Sequence, residues 1–353
     1  MLSRPEEQLV RGNNGVASIT SPIHAVQGSD APQSELLLKL KREADCLCAL
    51  NQDPQISSPL GFHLVVSRMH AVAAAARQCA SAGLSRDAMG HALEALRNVC
   101  MQSPFTKHVT EWPRGYAGDF SVIDQICWQR NHAKPGTLAF WVEQYSLGCG
   151  IAQQHRNKVS RQAGEILACA REKAAQGNEA RIAILASGSS PDLQLIQTEL
   201  SELPVHLVLV DSDPEAIRTS RERLPALTKK IDFVCGSVLT DIAGLSRNNP
   251  FDLVVAGGLF DYLNDRAATF LIKTVYTRVL ADEGKFFFTN IGPDNPFADW
   301  TQYVTNWWLI HRSERDVDNL VAKTEVHNIL LEYERDLTGL TLLITIKRKA
   351  EIP

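Results

Sequence analysis

The most constraining feature of the chain is an alternation that starts at Arg181: short apolar runs ending in small or acidic residues are separated by stretches of helical period. A nearly continuous apolar run is typical of a parallel strand that is covered on both faces, and parallel strands need crossovers between them. The alternation therefore predicts an α/β fold with a Rossmann-like doubly wound sheet. Its strands would be RIAILA, HLVLVD, IDFVCG, FDLVVAGG and GKFFFTNIG.

The C-terminal segment has a different pattern. In TEVHNILLEYERDLTGLTLLITIKR, two runs rich in apolar and β-branched residues flank a turn at Thr338-Gly339. Two such runs joined by a short turn predict an antiparallel hairpin. We expect this hairpin at the edge of the sheet.

Residues 34–177 have mainly helical periods. One predicted helix opens at Ser34, a second begins near Ser58, and a third is capped by Ser85. The segment after Pro104 is rich in turn residues and is expected to break the helical pattern. These residues predict a helical domain, which would act as a lid, before a sheet domain at 178–353. Residues 1–33 are rich in Gly, Ser, Asn, Pro and Gln without apolar period, and they predict a disordered tail.

Composition excludes several classes of partner. The chain has 36 Lys and Arg against 40 Asp and Glu, and no basic block interleaved with aromatic residues, so we expect no nucleic-acid partner. Its apolar runs are far shorter than the roughly 20 residues of a membrane span, so we expect no membrane partner. The start, MLSRPEEQLV, is acidic where an export signal would be basic and then apolar. We therefore expect a cytoplasmic protein.

The eight cysteines are scattered, and neither they nor the histidines have the spacing of a metal site. We expect them to be small buried residues in a reducing compartment, and we expect no metal.

The turn after the first strand is the expected ligand site, because ligands of open parallel sheets lie beyond the carboxyl ends of the strands. Gly188 can adopt positive φ freely, and small neighbours let a ligand approach the backbone. Asp211 ends the second strand, 23 residues after Gly188. A carboxylate at about 20 residues from such a turn can accept both hydroxyls of a ribose. The alternative for Asp211 is a helix cap, although Asp213 before Pro214 is the better cap candidate.

A dinucleotide is a poorer candidate than a mononucleoside. Dinucleotide sites carry G-x-G-x-x-G, whereas this turn is A-S-G-S-S-P and is followed by Asp192, which would repel a diphosphate. A nucleoside with a short zwitterionic tail fits better.

With these motifs the chain resembles the class I S-adenosylmethionine-dependent methyltransferases. The resemblance covers about Arg181 to Arg348. More specifically, it is similar to a bacterial subgroup with an N-terminal R-G-Y-A-G-D motif that methyl-esterifies hydroxy fatty acid signals, and to azetidine-2-carboxylate synthases, which cyclise S-adenosylmethionine and release methylthioadenosine. The motifs that carry it are RGYAGDF (114–120), ASGSSPD (186–192), DSDPEA (211–216), GLFDYL (258–263), and NP followed by WWLIHRSERDV (295–317).

The resemblance implies a set of cofactor contacts. The turn after the first strand would line the methionine and ribose, and Asp211 would hold the ribose hydroxyls. The family often has an acidic residue near the adenine amine, where this chain has Gly236-Ser237, so adenine would depend on backbone groups or on Ser237. Gly257 would leave room for the sulfonium. The implied turn residues are Ala186, Ser187 and Gly188.

RGYAGDF combines three polar side chains with two glycines. Arg114 could clamp the methionyl carboxylate and Asp119 could take the ammonium, while the ring of Tyr116 could face the sulfonium. The alternative is a structural loop in which Arg114 and Asp119 pair with each other. The functional interpretation requires the helical segment to fold over the site as a lid.

Three further residues are weaker candidates. Tyr303 could face the site, and His311, at the end of an apolar run expected to be helical, could be a general base or a charge at the helix terminus. Asp261 could orient a substrate or cap a helix. The favoured function is transfer of a methyl group to a small-molecule acceptor, a carboxylate or a secondary metabolite. The alternatives are the cyclising synthase and a non-catalytic nucleoside-binding protein; the sequence does not set the oligomeric state.

Overall fold

The computed structural model describes residues 31–245 and 250–348. The predicted tail lies outside them except for residues 31–33, which already belong to the first helix. Helix formation there is compatible with Pro32, because the first turn needs no intrahelical N–H donor. The helices are α1 (Ala31–Ala49), α2 (Leu60–Ser81), α3 (Arg86–Cys100), α4 (Pro104–Glu111), α5 (Phe120–Trp128), α6 (Leu138–Gly148), α7 (Gly150–Ala175), α8 (Pro191–Ser201), α9 (Pro214–Arg223), α10 (Val238–Asp241), α11 (Asp265–Thr274), α12 (Ala298–Tyr303) and α13 (Glu314–Ala322).

The strands confirm the predicted α/β class. Within the described residues they form a seven-stranded sheet of order β3-β2-β1-β4-β5-β7-β6. The strands β1 to β5 pair in parallel, and β7 pairs antiparallel with both β5 and β6. The doubly wound sheet and its antiparallel C-terminal hairpin are therefore as predicted. The strands are β1 (Ala180–Leu185), β2 (Val205–Asp211), β3 (Ile231–Cys235), β4 (Phe251–Ala256), β5 (Leu280–Ile291), β6 (Ile329–Arg335) and β7 (Thr341–Arg348).

The chain divides into two compact units, whose limits differ from those of the predicted domains. Of the described residues, the helical unit contains 31–122, Asn131–Tyr145 and 297–308. The sheet unit contains Ile123–Arg130, 146–245, 250–296 and 309–348. The long helix α7 thus belongs to the sheet unit, although it precedes the first strand.

Successive strand residues point to opposite faces, and both faces are buried. On β1, Ala183 and Leu185 pack in one apolar cluster, which includes residues of α11 and α13. Ile182 and Ile184 pack in the other, together with Ile166 of α7 and residues of α8. Burial on both sides explains why the strands read as nearly continuous apolar runs.

The helical unit has a core of its own, and its N-terminal helical region is as predicted. Side chains from α1, α2, α3 and α6 form one buried cluster with Trp300 and Val304. The Ser85 hydroxyl accepts from the N–H of Ala88 and caps α3, as expected from the sequence. The segment after Pro104 was wrongly expected to break the helical pattern. It contains α4, because the Ser103 side chain accepts from the N–H of Thr106 and caps that helix.

The apolar run around Trp307 is not helical, contrary to the prediction. Asn306 has a φ of 55°, and the chain from there to Ser313 is irregular. Tertiary hydrogen bonds replace the helical ones within the sheet unit: the N–H of Ile310 donates to Asp261 O at 2.8 Å and that of Arg312 to Ile291 O at 2.9 Å. Among the described residues, no helix has both the length and the apolar composition needed to cross a membrane.

Candidate functional site

The turn between β1 and α8 has an unusual backbone. Ala186, Gly188 and Ser190 have φ values of 51°, 55° and 54°. Only glycine adopts this left-handed region without strain, and each of the other two costs roughly 1–3 kcal/mol. The conformation points the N–H of Ser187 at Val210 O (3.1 Å) and that of Gly188 at Asp211 (2.8 Å). The strained turn is therefore hydrogen-bonded to the end of β2.

Asp211 lies at the carboxyl end of β2 with 7% of its surface exposed. Its Oδ2 accepts from Gly188 N and its Oδ1 from Asp213 N at 2.9 Å. Burial raises the pKa of this carboxyl, and the backbone donors work in the opposite direction. Each carboxylate oxygen retains a second lone pair for a ligand. The alternative role as a helix cap does not apply, since the Asp213 side chain accepts from Glu215 N and caps α9.

The side-chain oxygen of Ser187 is a buried polar atom without a hydrogen-bond partner among the described residues. A buried hydroxyl in this state costs about 1–3 kcal/mol unless something binds it. This hydroxyl, at the turn that is hydrogen-bonded to the Asp211 carboxylate, is suited to a polar ligand.

A second carboxylate, Asp124 on α5, is hydrogen-bonded to the same turn. The sequence analysis did not identify this residue. Its Oδ1 accepts from the Ser189 hydroxyl, and its Oδ2 accepts from Arg223 Nη1 at 2.6 Å. Asp124 is 60 or more residues away from both partners, so no local pattern indicates the contact. It adds a tertiary constraint to the strained backbone.

An acidic group does lie beside Gly236, although the sequence has none at that position. A Cβ at residue 236 would collide with the carboxylate of Asp241, which is the last residue of α10. A side chain at residue 236 would displace this carboxylate, so glycine permits the close approach. Ser237, the residue expected to recognise adenine, is exposed and precedes α10. Asp241 thus places a carboxylate beside the end of β3.

The loop after β4 contains two glycines with different roles. At Gly257 a Cβ would collide with the side-chain amide of Gln162 from α7, so the room expected there is taken by that amide. Gly258 has a φ of 89°, and its N–H donates to Thr289 Oγ1 at 3.0 Å.

Asp261 is buried beneath this loop and is not a helix cap, since Asn264 caps α11. Its Oδ1 accepts from Asn290 Nδ2 at 3.0 Å and from Ile291 N at 2.7 Å. Its Oδ2 lies 3.4 Å from Lys158 Nζ, and both side chains are at most 4% exposed. Burial raises the pKa of the carboxyl, and the Lys158 charge opposes the shift.

His311 lies close enough to Asp261 for its charge to lower the pKa of that carboxyl. The neighbouring Arg312 is buried and fixes the surrounding chain, donating to Phe260 O at 2.8 Å and Leu263 O at 2.6 Å. The residues on either side of His311 fix the chain near Asp261, since Ile310 N donates to Asp261 O and Arg312 N to Ile291 O. The role of His311 as a general base stays a prediction.

The RGYAGDF motif lies in the helical unit. Gly115 and Gly118 have positive φ values of 85° and 63°, a region that glycine adopts without strain. Asp119 is 1% exposed. Its Oδ1 accepts from the N–H groups at positions 121 and 122, and His108 Nε2 lies 2.8 Å from its Oδ2. Asp119 therefore caps α5, a structural role that the sequence did not indicate.

Arg114 and Tyr116, the other two polar residues of RGYAGDF, are more accessible to solvent than Asp119. The Arg114 guanidinium lies 4.4 Å from the ring centre of Phe120, and Tyr116 is 38% exposed. Their expected contacts with a methionyl group stay predictions.

Tyr303 also belongs to the helical unit. Its ring meets that of Trp308 edge-on at 5.3 Å, and its carbonyl accepts from Arg97 Nε at 2.9 Å. Burial raises the pKa of its hydroxyl.

The predicted site residues fall into two groups. Ala186, Ser187, Gly188, Asp211, Ser237, Gly257 and His311 belong to the sheet unit, and Arg114, Tyr116, Asp119 and Tyr303 to the helical unit. Among the described residues, no cluster of His, Cys, Asp or Glu could hold a metal ion.

Comparison with known structures supports the fold. The chain is similar to a possible exported protein from Bordetella parapertussis, with 16% identity, a TM-score of 0.53, and coverage of 91% of this chain and 99% of that one. At this identity the likeness shows a shared fold alone. No protein-family model matches the chain, and the comparison with curated proteins finds no relative.

More distant neighbours include methyltransferases. Magnesium protoporphyrin IX methyltransferase from Synechocystis, solved with bound SAH, is 9% identical with a TM-score of 0.42, covering 57% of this chain and 88% of that one. An O-methyltransferase family protein from Burkholderia thailandensis is 16% identical with a TM-score of 0.40, covering 59% and 63%. Neither likeness carries a conclusion about this chain.

Proposed function

We propose that the protein is an S-adenosylmethionine-dependent methyltransferase that acts on a small-molecule acceptor. The observation that carries the proposal is the strained turn at Gly188 fastened to the buried carboxylate of Asp211. This arrangement presents a carboxylate to ribose hydroxyls at the carboxyl edge of a parallel sheet. The predicted cytoplasmic location and a role in secondary metabolism belong to the same proposal.

The donor and acceptor groups at this edge fit the cofactor. Asp211 would hold the ribose, the orphaned Ser187 hydroxyl would take a polar group at the turn, and Asp241 would accept from the adenine amine. These groups follow β1, β2 and β3, which are neighbours in the sheet. The fit rests on the buried hydroxyl of Ser187 and on the close approach of the Asp241 carboxylate to Gly236.

The cofactor supplies an activated methyl group on a sulfonium. The residues of this chain then have to align the acceptor with that group, since displacement at carbon is governed by geometry. Asp211 and the turn would fix the nucleoside end. Asp261 and His311 would orient an acceptor beyond β4, and a carboxylate acceptor would need no base because it is already ionised. Enclosure of the side chains around Asp261 excludes water from this region.

Binding is the first test. Calorimetry should show that S-adenosylmethionine binds the wild-type protein, and Asp211→Ala should weaken binding by about 1.5–3 kcal/mol, the range for hydrogen bonds to charged groups. Asp213→Ala is the matched control, because it removes a neighbouring carboxylate that caps α9 and leaves Asp211 in place. Equal affinity of folded Asp211→Ala and wild-type protein would contradict the assignment.

Product analysis decides between reactions. The protein is incubated with S-adenosylmethionine, alone and with a panel of small carboxylic acids, and the products are identified by mass spectrometry. S-adenosylhomocysteine formed only with an acid supports methyl transfer. Methylthioadenosine with a cyclic amino acid would establish the cyclising synthase instead, and binding without turnover under every condition would indicate a nucleoside-binding protein.

A further inference from the structure

One face of α7 carries polar side chains that are buried inside the sheet unit. Gln154, Lys158 and Gln162 follow each other at intervals of four residues and are 0%, 3% and 8% exposed. Residues four apart lie above one another on a helix. The three side chains therefore form a row, which ends at Gly257, where the Gln162 amide lies against the loop after β4. We call these three residues the α7 polar row.

The row has unused hydrogen-bond donors. Lys158 has three N–H groups, and its hydrogen-bond partner within the described chain is Asp261 Oδ2, at the long distance of 3.4 Å. Gln154 Oε1 accepts from Thr341 Oγ1 at 2.6 Å, whereas its Nε2 is buried and has no partner among the described residues. A buried ammonium and a buried amide with idle donors are costly unless a ligand uses them.

A purely structural ion pair does not account for this arrangement. Buried pairs are stabilising only when short bonds satisfy both charges. Asn290 and Ile291 both donate to Oδ1 of Asp261. Only Oδ2 faces Lys158, at 3.4 Å, so the pair balances the two charges but leaves donors of the ammonium unused. The ammonium also lies near Gly258, where a Cβ would be 3.6 Å from Nζ, and glycine leaves that side of Nζ free of a side chain.

We infer that the α7 polar row is a binding site for a carboxylate, with Lys158 as its charged donor. A monoanion is favoured over a phosphate dianion, because Asp261 already balances the ammonium. A carboxylate that accompanies a sulfonium cation keeps the local charge near neutral, and a dianion does not. The choice of carboxylate rests on the proposed function: it belongs either to the methionyl end of the cofactor or to the acceptor.

The test compares ligands with and without a carboxylate. Calorimetry measures S-adenosylmethionine and its decarboxylated form, and ¹³C NMR titration measures labelled acetate, in wild type and in Lys158→Met. If the row binds the methionyl carboxylate, Lys158→Met weakens S-adenosylmethionine about tenfold to a hundredfold and leaves the decarboxylated form unchanged. If it binds the acceptor, both nucleosides keep their affinities and acetate binding is lost.

Two further variants control for effects of Lys158→Met other than the loss of a carboxylate-binding donor. Lys158→Met leaves Asp261 buried without its cation, so the pair is also removed together in Lys158→Met/Asp261→Asn. Lys173→Met is the matched control: it removes a lysine of the same helix whose partner is Asp252 at 2.8 Å, and it should change neither affinity.

The outcomes separate this inference from the proposed function. Wild-type affinities for every ligand in folded Lys158→Met and in the double variant overturn the carboxylate site, as does a wild-type protein that neither prefers S-adenosylmethionine to its decarboxylated form nor binds acetate. Failure of wild type to bind either nucleoside overturns the proposed function instead. In that case the acetate titration, which needs no nucleoside, still decides whether the row binds a carboxylate.

Discussion

At the scale of single residues, Asp192 shows how burial sets protonation. It occupies the first turn of α8 with 3% of its surface exposed. Its Oδ1 accepts from Leu193 N at 2.8 Å, yet burial outweighs this donor and raises the pKa of the carboxyl from 3.8 to about 6. The folded protein therefore holds this proton at pH values where the unfolded chain has lost it.

Asp192→Asn should stabilise the protein at neutral pH. Because the folded pKa is raised, wild-type stability associated with Asp192 is present below pH 3.8 and is lost as pH rises to about 6. The full loss is about 3 kcal/mol, and the amide variant avoids it while keeping the oxygen that accepts from Leu193. Denaturant unfolding at pH 4 and pH 7.5 should show a gain for the variant that grows with pH. A constant difference between the proteins would contradict the raised pKa.

Local chemistry decides which site residues a sequence can reveal. Gly188 and Asp211 are recognisable because the turn and the strand end are adjacent in any sheet of this type. Lys158, Asp124 and Asp241 were missed, since their roles depend on how α7, α5 and α10 are placed against the strands. A lysine within a helical period looks the same whether it faces solvent or a buried carboxylate.

At the scale of elements, α5 depends on the motif that precedes it. Asp119 supplies both a cap for α5 and a partner for His108. Capping carboxylates stabilise a helix start by about 0.5–2 kcal/mol, and this one is almost fully buried. The capping role of Asp119 should therefore be measurable as a change in stability, independently of its predicted contact with the ammonium of the methionyl group.

Asp119→Ala should lower the free energy of unfolding by about 1–3 kcal/mol, because the first N–H groups of α5 and the His108 ring lose their acceptor. Asp119→Asn should cost less, since its oxygen can still cap the helix. Thermal and denaturant unfolding measure both. A variant with wild-type stability but reduced affinity for S-adenosylmethionine would favour the predicted cofactor role over the structural one.

Helices and strands could be predicted from the sequence where a single periodicity of apolar residues extends along the whole segment. The parallel strands follow from nearly continuous apolar runs, and the hairpin follows from two strand-like runs joined by the turn at Thr338-Gly339. The run around Trp307 misled the prediction, because apolar residues in succession fit an irregular segment whose N–H groups bond to other parts of the fold. Asn306, which tolerates left-handed backbone better than most residues, is the local signal that was missed.

At the scale of the whole molecule, the cysteines differ in accessibility more than predicted. Two of them, Cys79 and Cys100, are buried, five are partly buried, and Cys235 is exposed. Burial raises the pKa of the Cys127 thiol to about 11 and that of Cys169 to about 12. Cys235 ends β3 and is paired in register with Asp211.

Ellman's reagent should therefore modify one thiol of the native protein rapidly, and Cys235→Ser should abolish that phase. S-adenosylmethionine should slow it, since Asp211 is the neighbouring residue in the sheet. Full reactivity of all thiols is expected only in denaturant. A fast phase that persists in Cys235→Ser would show that another thiol is the accessible one.

The hairpin leaves β6 as the outer strand, and its side chains alternate between partly buried and exposed. Leu330 is exposed and apolar, and other exposed positions carry charge: Glu332 pairs with Lys347 at 2.6 Å and Glu334 with Arg161 at 2.6 Å. Exposed pairs of this kind stabilise a fold by at most about 1 kcal/mol each. Their larger consequence is intermolecular. A second molecule that extended the sheet at β6 would have to bring its backbone against these charges, so strand-to-strand aggregation at this edge is disfavoured.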